Sequence, residues 1–590
     1  MSEVLLKVSE RRGGERRAKG PNARIQRFIF LPKELFVFIL ANTVKLLFVH
    51  ALLDSYKIDL FFSVLLLEYF SMAMVYFMIP VICRSRLIFL FFYAIQVIYT
   101  LITLSYYFVF VSNIHINIIS KLFWEFSAVF DESLSRETLW AFAISLIDIF
   151  FFYLVWKNFT AIKDTLSVSF KNTLLQIISG FLLFLLIITS VNAYEFIETG
   201  SNPDRLKEIE DYSMHHYGLF ASTYMEIYNY RNVKESIHKL NYSRKDNTRY
   251  ISNNKRSVNT SSVLLIQVES LDANIIGQKW RGRYIAPFLT RMAKNNVYYP
   301  YTLSYRSAGG TSDTEIAVLN NVQPLSDTPT SSISQYDFPN SIAKIFRNNS
   351  YNVLAFHGND GEYYNRNAAY AQMGFYRFFD KSRMRLESQG WGASDDNVFD
   401  FVSSYLKIRK VPFFTYIITM SSHEPFRNVY NYYTTDKFND VTPEKLKDYF
   451  TSISYADKAI NRFVDNILEK HPNTYVYLFG DHAPYVLNGK SSYGVAMTEK
   501  DHHSLQFVPL IIITPDKRNF RESYSAATLL DLAPTIIQNS KISYSYEILG
   551  DNLLEPLHDG IIEYKGKTLG RRELYQNASK TRSEFLDLVK

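Results

Sequence analysis

Apolar positions crowd into the first third of the chain. Five runs, near 35–53, 60–83, 87–111, 139–156 and 173–193, approach or exceed the roughly 20 apolar residues that cross a bilayer. Each is predicted to be a transmembrane helix. The stretch from Lys7 to Arg27, the turn Arg84-Ser85-Arg86 and the loop 157–172 with Lys157, Lys163 and Lys171 carry the positive charge, so they are predicted to be cytoplasmic. The loop 112–138 sets Glu125, Asp131, Glu132 and Glu137 against Lys121 and Arg136 and is predicted to face outward. These assignments alternate as five crossings require, which places everything after residue 193 outside the cytoplasm. Lys45, Glu68 and Asp148 fall within spans, where ionisable groups are costly; they read as helix–helix partners or as a path for a lipid head group. Residues 112–130 also alternate at near-helical spacing and suit the membrane interface.

Beyond the last run the pattern is that of a globular protein. Residues 194–260 are polar and rich in Tyr and Asn, with helical stretches near 203–212 and 216–230. At Ser262 short, nearly continuous apolar runs begin, as expected of strands buried on both faces: Val263–Val268, Tyr351–Phe356, Phe413–Met420, Tyr475–Phe479 and Phe507–Ile513. Helical patterns separate them. In the clearest, 444–469, the residues Leu446, Phe450, Ile453, Ala456, Ile460, Phe463 and Ile467 form one apolar stripe. Strands alternating with helices predict an α/β fold with a mostly parallel central sheet. The expected organisation is a basic arm at 1–34, a five-helix transmembrane domain at 35–193, a connector at 194–260 and a catalytic domain at 261–590.

Composition narrows the chemistry. The chain has 590 residues and a net charge of +7, with much of the excess in the basic arm, so it does not suggest nucleic-acid binding. Its one cysteine, Cys83, lies inside an apolar run; intramolecular disulfides, cysteine nucleophiles and cysteine zinc sites are excluded.

The residues after each strand are the informative ones. The first run ends in Glu269, the second in His357, the third leads to His423, and the fourth ends in Gly480-Asp481-His482. In open α/β sheets ligands bind beyond the carboxyl ends of the strands, so these four ends are predicted to assemble one site. Each residue alone has a plainer reading as a helix cap or a locally hydrogen-bonded histidine. Between the first two runs, Ser307-Ala308-Gly309-Gly310-Thr311-Ser312-Asp313-Thr314-Glu315 reads as a Gly-Gly turn opening a helix. Such a turn aims backbone N–H groups at an anion, and a hydroxyl placed there is a candidate nucleophile at phosphorus. It also reads as an ordinary helix start, with Ser312 and Glu315 as a capping box.

The motifs Val268-Glu269-Ser270-Leu271, Gly310-Thr311-Ser312-Asp313-Thr314-Glu315, Phe356-His357-Gly358-Asn359, Asn365-Arg366, Ser422-His423-Glu424-Pro425-Phe426 and Gly480-Asp481-His482 resemble the lipoteichoic acid synthase and phosphoglycerol transferase branch of the alkaline-phosphatase/sulfatase superfamily. The resemblance extends over nearly the whole chain. It implies that Glu269, Thr311, Asp481 and His482 hold a divalent metal, manganese before zinc or magnesium, a donor set that suits such an ion. It further implies that Thr311 is the covalent nucleophile. Arg366 and His423 would bind the phosphate, with His423 protonating the leaving group and His357 lining the pocket. The implied reaction takes a head group, phosphoglycerol from phosphatidylglycerol, onto Thr311 and passes it to an envelope glycan or polymer. The setting is a bacterial plasma (inner) membrane protein whose catalytic domain lies in the periplasm or extracellular space.

Three departures from the branch stand out. Gly310 replaces a common lysine, Tyr363-Tyr364 replaces a common tryptophan, and His502-His503 after Asp501 read as part of a solvent-facing loop before a second-metal or phosphate ligand. The alternatives left open are a phosphoethanolamine transferase acting on lipid A or another glycan, which usually carries disulfides, and a membrane-anchored phosphodiesterase. A formylglycine sulfatase lacks its Cys/Ser-x-Pro-x-Arg setting here. A degenerate binding protein is at odds with the complete Glu269/Thr311/Asp481/His482 set.

Overall fold

In a computed structural model, the described residues are 33–52, 76, 79, 85–110, 149–167, 236–238, 240, 248–255, 261–307, 309–325, 329–333, 335–407, 412–484, 495–496, 504–555, 560–564 and 567–588. Contacts divide the chain into two compact units.

The amino-terminal unit contains helices α1 (Lys33–Leu52) and α3 (Ile149–Ser167) and, through Leu101, the greater part of α2 (Arg86–Phe110). Its packing is aromatic: Tyr93 stacks on Phe152 at 4.2 Å and Phe38 lies 5.5 Å from Phe89. Polar side chains sit inside. Asn42 accepts from Gln96 at 2.5 Å, and the fully buried Lys45 lies over the Tyr93 ring at 5.9 Å. Large apolar side chains face outward, including Leu40, Leu87, Phe91 and Ile98. Helices α1 and α2 coincide with the first and third apolar runs. Helix α3 instead continues through residue 167, so Lys157 and Lys163 lie on a helix where a loop was expected; the buried stripe Val155, Phe159 and Ile162 carries its apolar face past residue 156. Among the described residues no helix is long and apolar enough to cross a membrane. The runs 60–83 (Tyr76 and Ile79 aside) and 173–193, with Glu68, Asp148, the loop 112–138 and the connector helices, lie outside the described residues.

The second unit is built on an eight-stranded sheet of β1 (Ser262–Val268), β2 (Val297–Leu303), β3 (Asn352–His357), β4 (Arg377–Phe379), β5 (Phe413–Ile418), β6 (Thr474–Gly480), β7 (Phe507–Ile513) and β8 (Ala527–Thr528). The order is β8-β2-β7-β6-β1-β5-β3-β4, and β7 alone runs against its neighbours. All five predicted strands are present. The sheet is buried on both faces because successive residues of β1 enter opposite cores: Val263 and Leu265 one, Leu264, Ile266 and Val268 the other. On one face packs α4 (Pro287–Asn295), α8 (Asp395–Lys407) and the long α9 (Glu444–Lys470); on the other α5 (Thr311–Asn320), α6 (Ile342–Asn348), α7 (Arg366–Gln372) and α10 (Leu532–Asn539). Every residue of the predicted stripe on α9 is buried, and its Phe463 stacks on Phe399 of α8 at 4.5 Å.

Strand β2 was not predicted. Pro300 interrupts its pattern, and Pro509 interrupts β7 beside it. Neither can donate to the ladder, and the β2–β7 register shifts between Val508 and Leu510, where the two prolines meet. The parallel strands β1, β3, β5 and β6 all end at one edge of the sheet, and the site lies there.

Candidate active site

Strand β1 ends directly before Glu269, and β6 ends directly before Asp481. Gly480 makes their close approach possible, since a Cβ there would lie 2.2 Å from the Leu271 carbonyl oxygen. Asp481 Oδ1 accepts the backbone N–H groups of Ser270 at 2.8 Å and His482 at 2.7 Å, which leaves Oδ2 directed to the centre. His482 Nε2 lies 3.2 Å from Glu269 Oε1. One ligand atom from each of Glu269, Asp481 and His482 falls within 4.8 Å of the others, and all three residues are buried. Burial, followed by the neighbouring Glu269 carboxylate, pushes the Asp481 carboxyl well up. Burial, followed by the Arg306 charge, pushes the His482 imidazole down, toward the neutral form that ligates metals. Two facing buried carboxylates and a neutral imidazole form a donor set that a divalent cation fits and that little else would neutralise.

Helix α5 brings the fourth group. Thr311 is its first residue, and Oγ1 donates to Glu269 Oε2 at 2.9 Å. The next four residues fasten the helix to its surroundings. Ser312 donates to the Gly309 carbonyl at 2.8 Å. Asp313 accepts from the backbone of Ser307 at 2.7 Å and Gly309 at 3.0 Å, closing the loop. Thr314 donates to the Asp481 carbonyl at 3.0 Å. Glu315 pairs with Arg366 at 2.6 Å and accepts from Tyr370 at 2.8 Å. From below, Gln267 of β1 donates to the Thr311 carbonyl at 3.1 Å. The Ser312/Glu315 capping box is therefore absent: Glu315 is 2% exposed, and at that depth its carboxylate takes the guanidinium rather than the helix end.

Two glycines shape the turn. Gly310 has φ +51°, and a Cβ on Gly309 would lie 2.2 Å from Asp313 Oδ1. Gly309→Ala is expected to destabilise the domain by about 1–3 kcal/mol through that clash, and to lower turnover because the loop presenting Thr311 shifts. Thermal unfolding beside a turnover assay checks it.

His357, Arg366 and His423 line one pocket with Glu269, Thr311 and His482, while Asp481 is sealed beneath it. The structure thus brings all seven predicted residues together. Arg366 differs from expectation in one respect. Its Nε–Nη2 edge is committed to Glu315, so it does not offer both edges of its fork to a ligand. Burial, then the Arg366 charge, pushes His357 down to about 3, so its ring is neutral; Nδ1 lies 3.4 Å from the Ile418 carbonyl. His423 Nδ1 lies 2.6 Å from the Glu424 carbonyl, which leaves Nε2 as its other face. Tyr364 and Asn365 both adopt left-handed conformations, and the Tyr364 ring lies over Arg366 at 5.4 Å. The departures at 310 and 364 meet: a Cβ on Gly310 would lie 3.4 Å from the Tyr364 hydroxyl. Arg306 and Asn359 also line the pocket and were not predicted. Arg306 follows the end of β2, so the strand hidden by Pro300 hid its terminus as well. His502 and His503 lie outside the described residues.

The loop carrying His423 is anchored by Asp395, whose carboxylate accepts from the backbone of Met420 at 2.7 Å and Ser421 at 3.3 Å. Burial pushes Asp395 up to about 6, with those N–H groups opposing it. Its folded pKa lies above the unfolded value of about 3.9, so its contribution to stability is fully present below pH ~4 and is lost as pH rises through about 6. Asp395→Asn keeps the acceptor and is expected to flatten that fall. Unfolding midpoints between pH ~4.5 and ~7.5 check it.

Residues 261–541 match the Sulfatase family model. Among named relatives, lipoteichoic acid synthase 2 of Bacillus subtilis (strain 168) is 26% identical over 317 residues, 52% of this chain and 48% of the relative. Lipoteichoic acid synthase of Staphylococcus saprophyticus is 23% identical over 340 residues, 55% of this chain and 52% of the relative. The chain therefore spans about half the length of the curated relatives it matches. In fold it is similar to the integral membrane protein lipooligosaccharide phosphoethanolamine transferase A from Neisseria meningitidis, with a TM-score of 0.53 at 13% identity, covering 86% of this chain and 95% of that one.

Proposed function

We propose that this chain is a membrane-anchored, metal-dependent transferase that moves a phospholipid head group, phosphoglycerol from phosphatidylglycerol, through a covalent Thr311 intermediate to an envelope glycan or polymer. The observation that carries this reading is the Thr311 hydroxyl lying on Glu269 beside Asp481 and His482, at the head of a helix fastened by four consecutive side chains.

Glu269, Thr311, Asp481 and His482 are the residues that would hold the metal, which we take to be manganese. Bound there, such an ion lowers the pKa of a coordinated hydroxyl and offsets charge on phosphoryl oxygens. The chain's own groups do the rest. Thr311 Oγ1 gives up its proton toward Glu269 and forms a bond to phosphorus, and the bond from phosphorus to the diacylglycerol oxygen breaks. His423 is placed to protonate that leaving oxygen. Arg366, held by Glu315, presents its remaining amino group to the phosphate, while neutral His357 is suited to accept from a head-group hydroxyl. An acceptor hydroxyl then attacks the same phosphorus and gives its proton to His423, now neutral, while the bond from phosphorus to Thr311 Oγ1 breaks and Oγ1 recovers its proton from Glu269.

Three features support the membrane anchor: the five apolar runs, the amino-terminal unit's exposure of large apolar side chains while Asn42, Lys45 and Gln96 are buried among its aromatic ones, and a fold likeness reaching well beyond the 261–590 region. Tethering would keep the pocket beside a lipid donor. The test is a donor comparison in detergent with phosphatidylglycerol and phosphatidylethanolamine. Diacylglycerol release from phosphatidylglycerol is expected; release from phosphatidylethanolamine alone would replace the phosphoglycerol reading with phosphoethanolamine transfer, and release from neither would end both.

A further inference from the structure

A tight turn, Gln389-Gly390-Trp391-Gly392-Ala393, lies beside the catalytic pocket and is closed by the Gln389 N–H on the Gly392 carbonyl at 2.8 Å. Both glycines are dictated by what surrounds them. Gly390 has φ +91°, and a Cβ there would lie 2.1 Å from Asn428 Oδ1. A Cβ on Gly392 would lie 2.7 Å from the Gly358 carbonyl oxygen and 2.9 Å from Met420 Cγ. Between them Trp391 turns inward and is 6% exposed. Its ring lies 5.6 Å from the His423 imidazole, centroid to centroid, at an angle of 35°, a separation at which aromatic rings attract. An indole this deep usually fills a core, yet Trp391 belongs to neither of the two apolar cores that flank the sheet.

Residues 389–395 are fastened to both histidine loops. The Ala393 N–H donates to the carbonyl of Gly358, the residue after His357, at 2.8 Å. Asp395 holds the N–H groups of Met420 and Ser421, and its own N–H donates to the Ser421 hydroxyl at 3.0 Å. The backbone leading to His423 is therefore fixed by the same segment that carries Trp391. The imidazole itself needs a further restraint. Its Nδ1 contact with the Glu424 carbonyl, on a residue tied to Lys445 by an ion pair, sets the ring within its plane and leaves it able to tilt. The indole closes off that tilt from one face. His423 and Met420 line the pocket, and Trp391 is not among the residues that do, so the indole reaches a bound donor through the imidazole alone.

We propose that Trp391 is a positioning residue for His423: its indole holds the imidazole in the orientation that aims Nε2 at the leaving oxygen of the donor. The assignment rests on the role of His423 as the acid in the transferase reading above. In that step the bond from phosphorus to the diacylglycerol oxygen breaks as Nε2 passes its proton to the oxygen, and the imidazole is left neutral. Proton transfer of this kind needs hydrogen-bond reach, and a displacement of about 1 Å costs on the order of a hundredfold in rate. A tilted ring would still occupy the pocket and still meet the phosphate. What it would lose is the alignment with the departing oxygen, so the effect of the indole falls on the donor whose leaving group needs a proton.

The test compares two donors with the full-length, metal-loaded protein in detergent. Phosphatidylglycerol releases a diacylglycerol alkoxide that needs a proton, whereas glycerol p-nitrophenyl phosphate releases a nitrophenolate that leaves without one. The variants are Trp391→Leu, which keeps apolar volume without a ring, Trp391→Phe, His423→Ala, and Trp391→Leu combined with His423→Ala. Trp391→Leu is expected to lower kcat on phosphatidylglycerol about a hundredfold with KM within about threefold, and to lower nitrophenolate release by less than about tenfold. Trp391→Phe should regain at least about tenfold of the loss. His423→Ala should also lose more on phosphatidylglycerol than on the nitrophenyl donor, and the double variant should be no slower than His423→Ala, because the indole works through the imidazole. Equal losses on the two donors in Trp391→Leu, with His423→Ala still distinguishing them, would overturn the positioning role alone. So would a double variant slower than His423→Ala by the full Trp391→Leu factor, or a raised KM at unchanged kcat. Equal losses on both donors in His423→Ala would remove the acid role of His423 and the positioning role with it.

Discussion

Thr311→Ala is expected to abolish head-group transfer, lowering turnover by more than about a thousandfold, the scale of losing a covalent nucleophile. Three expectations separate this from general damage. The variant should fold, because the contacts fastening α5 come from Ser312, Asp313, Thr314 and Glu315, and from Gln267 on the Thr311 backbone carbonyl rather than its side chain. Metal affinity should fall far less than turnover, because Glu269, Asp481 and His482 remain grouped. Thr311→Ser, which keeps the hydroxyl, should retain activity well above the alanine variant. Diacylglycerol release measured beside metal titration checks all three; wild-type release by the alanine variant would assign the chemistry elsewhere.

The second large effect concerns the metal. Asp481→Asn changes one oxygen of a fully buried side chain and can keep the acceptor that serves Ser270 and His482. It therefore separates ligation from structure. Metal affinity is expected to drop by more than about a hundredfold, because even partners one shell further out are worth 10–100-fold. The rise in unfolding midpoint that manganese gives the wild type should vanish, since only binding to the folded state stabilises it. In the metal-free protein the same substitution should be neutral to stabilising, because it removes one of two facing carboxylates. A manganese-dependent midpoint shift surviving in Asp481→Asn would exclude this residue as a ligand.

Much of the site was legible because a parallel sheet gathers strand ends. Glu269, His357, His423 and Asp481 are far apart in the chain, yet each follows a run whose apolar continuity marks a strand buried on both faces. What escaped depended on contacts that leave no local pattern. Glu315 reads as a helix cap at three residues from Ser312, and only burial beside Arg366 and Tyr370 reveals its partner. Pro300 concealed β2 and with it Arg306. Helix α3 outran its predicted end because a bilayer-length window ignores an amphipathic continuation.

The most direct measurement is the mass of the Thr311 peptide after rapid quenching of the full-length, manganese-loaded protein with phosphatidylglycerol. A glycerol phosphate adduct on Thr311 is expected to appear with the first diacylglycerol released and to decay when acceptor is added. Unmodified Thr311 throughout, while diacylglycerol is released at the full rate, would contradict a covalent Thr311 intermediate.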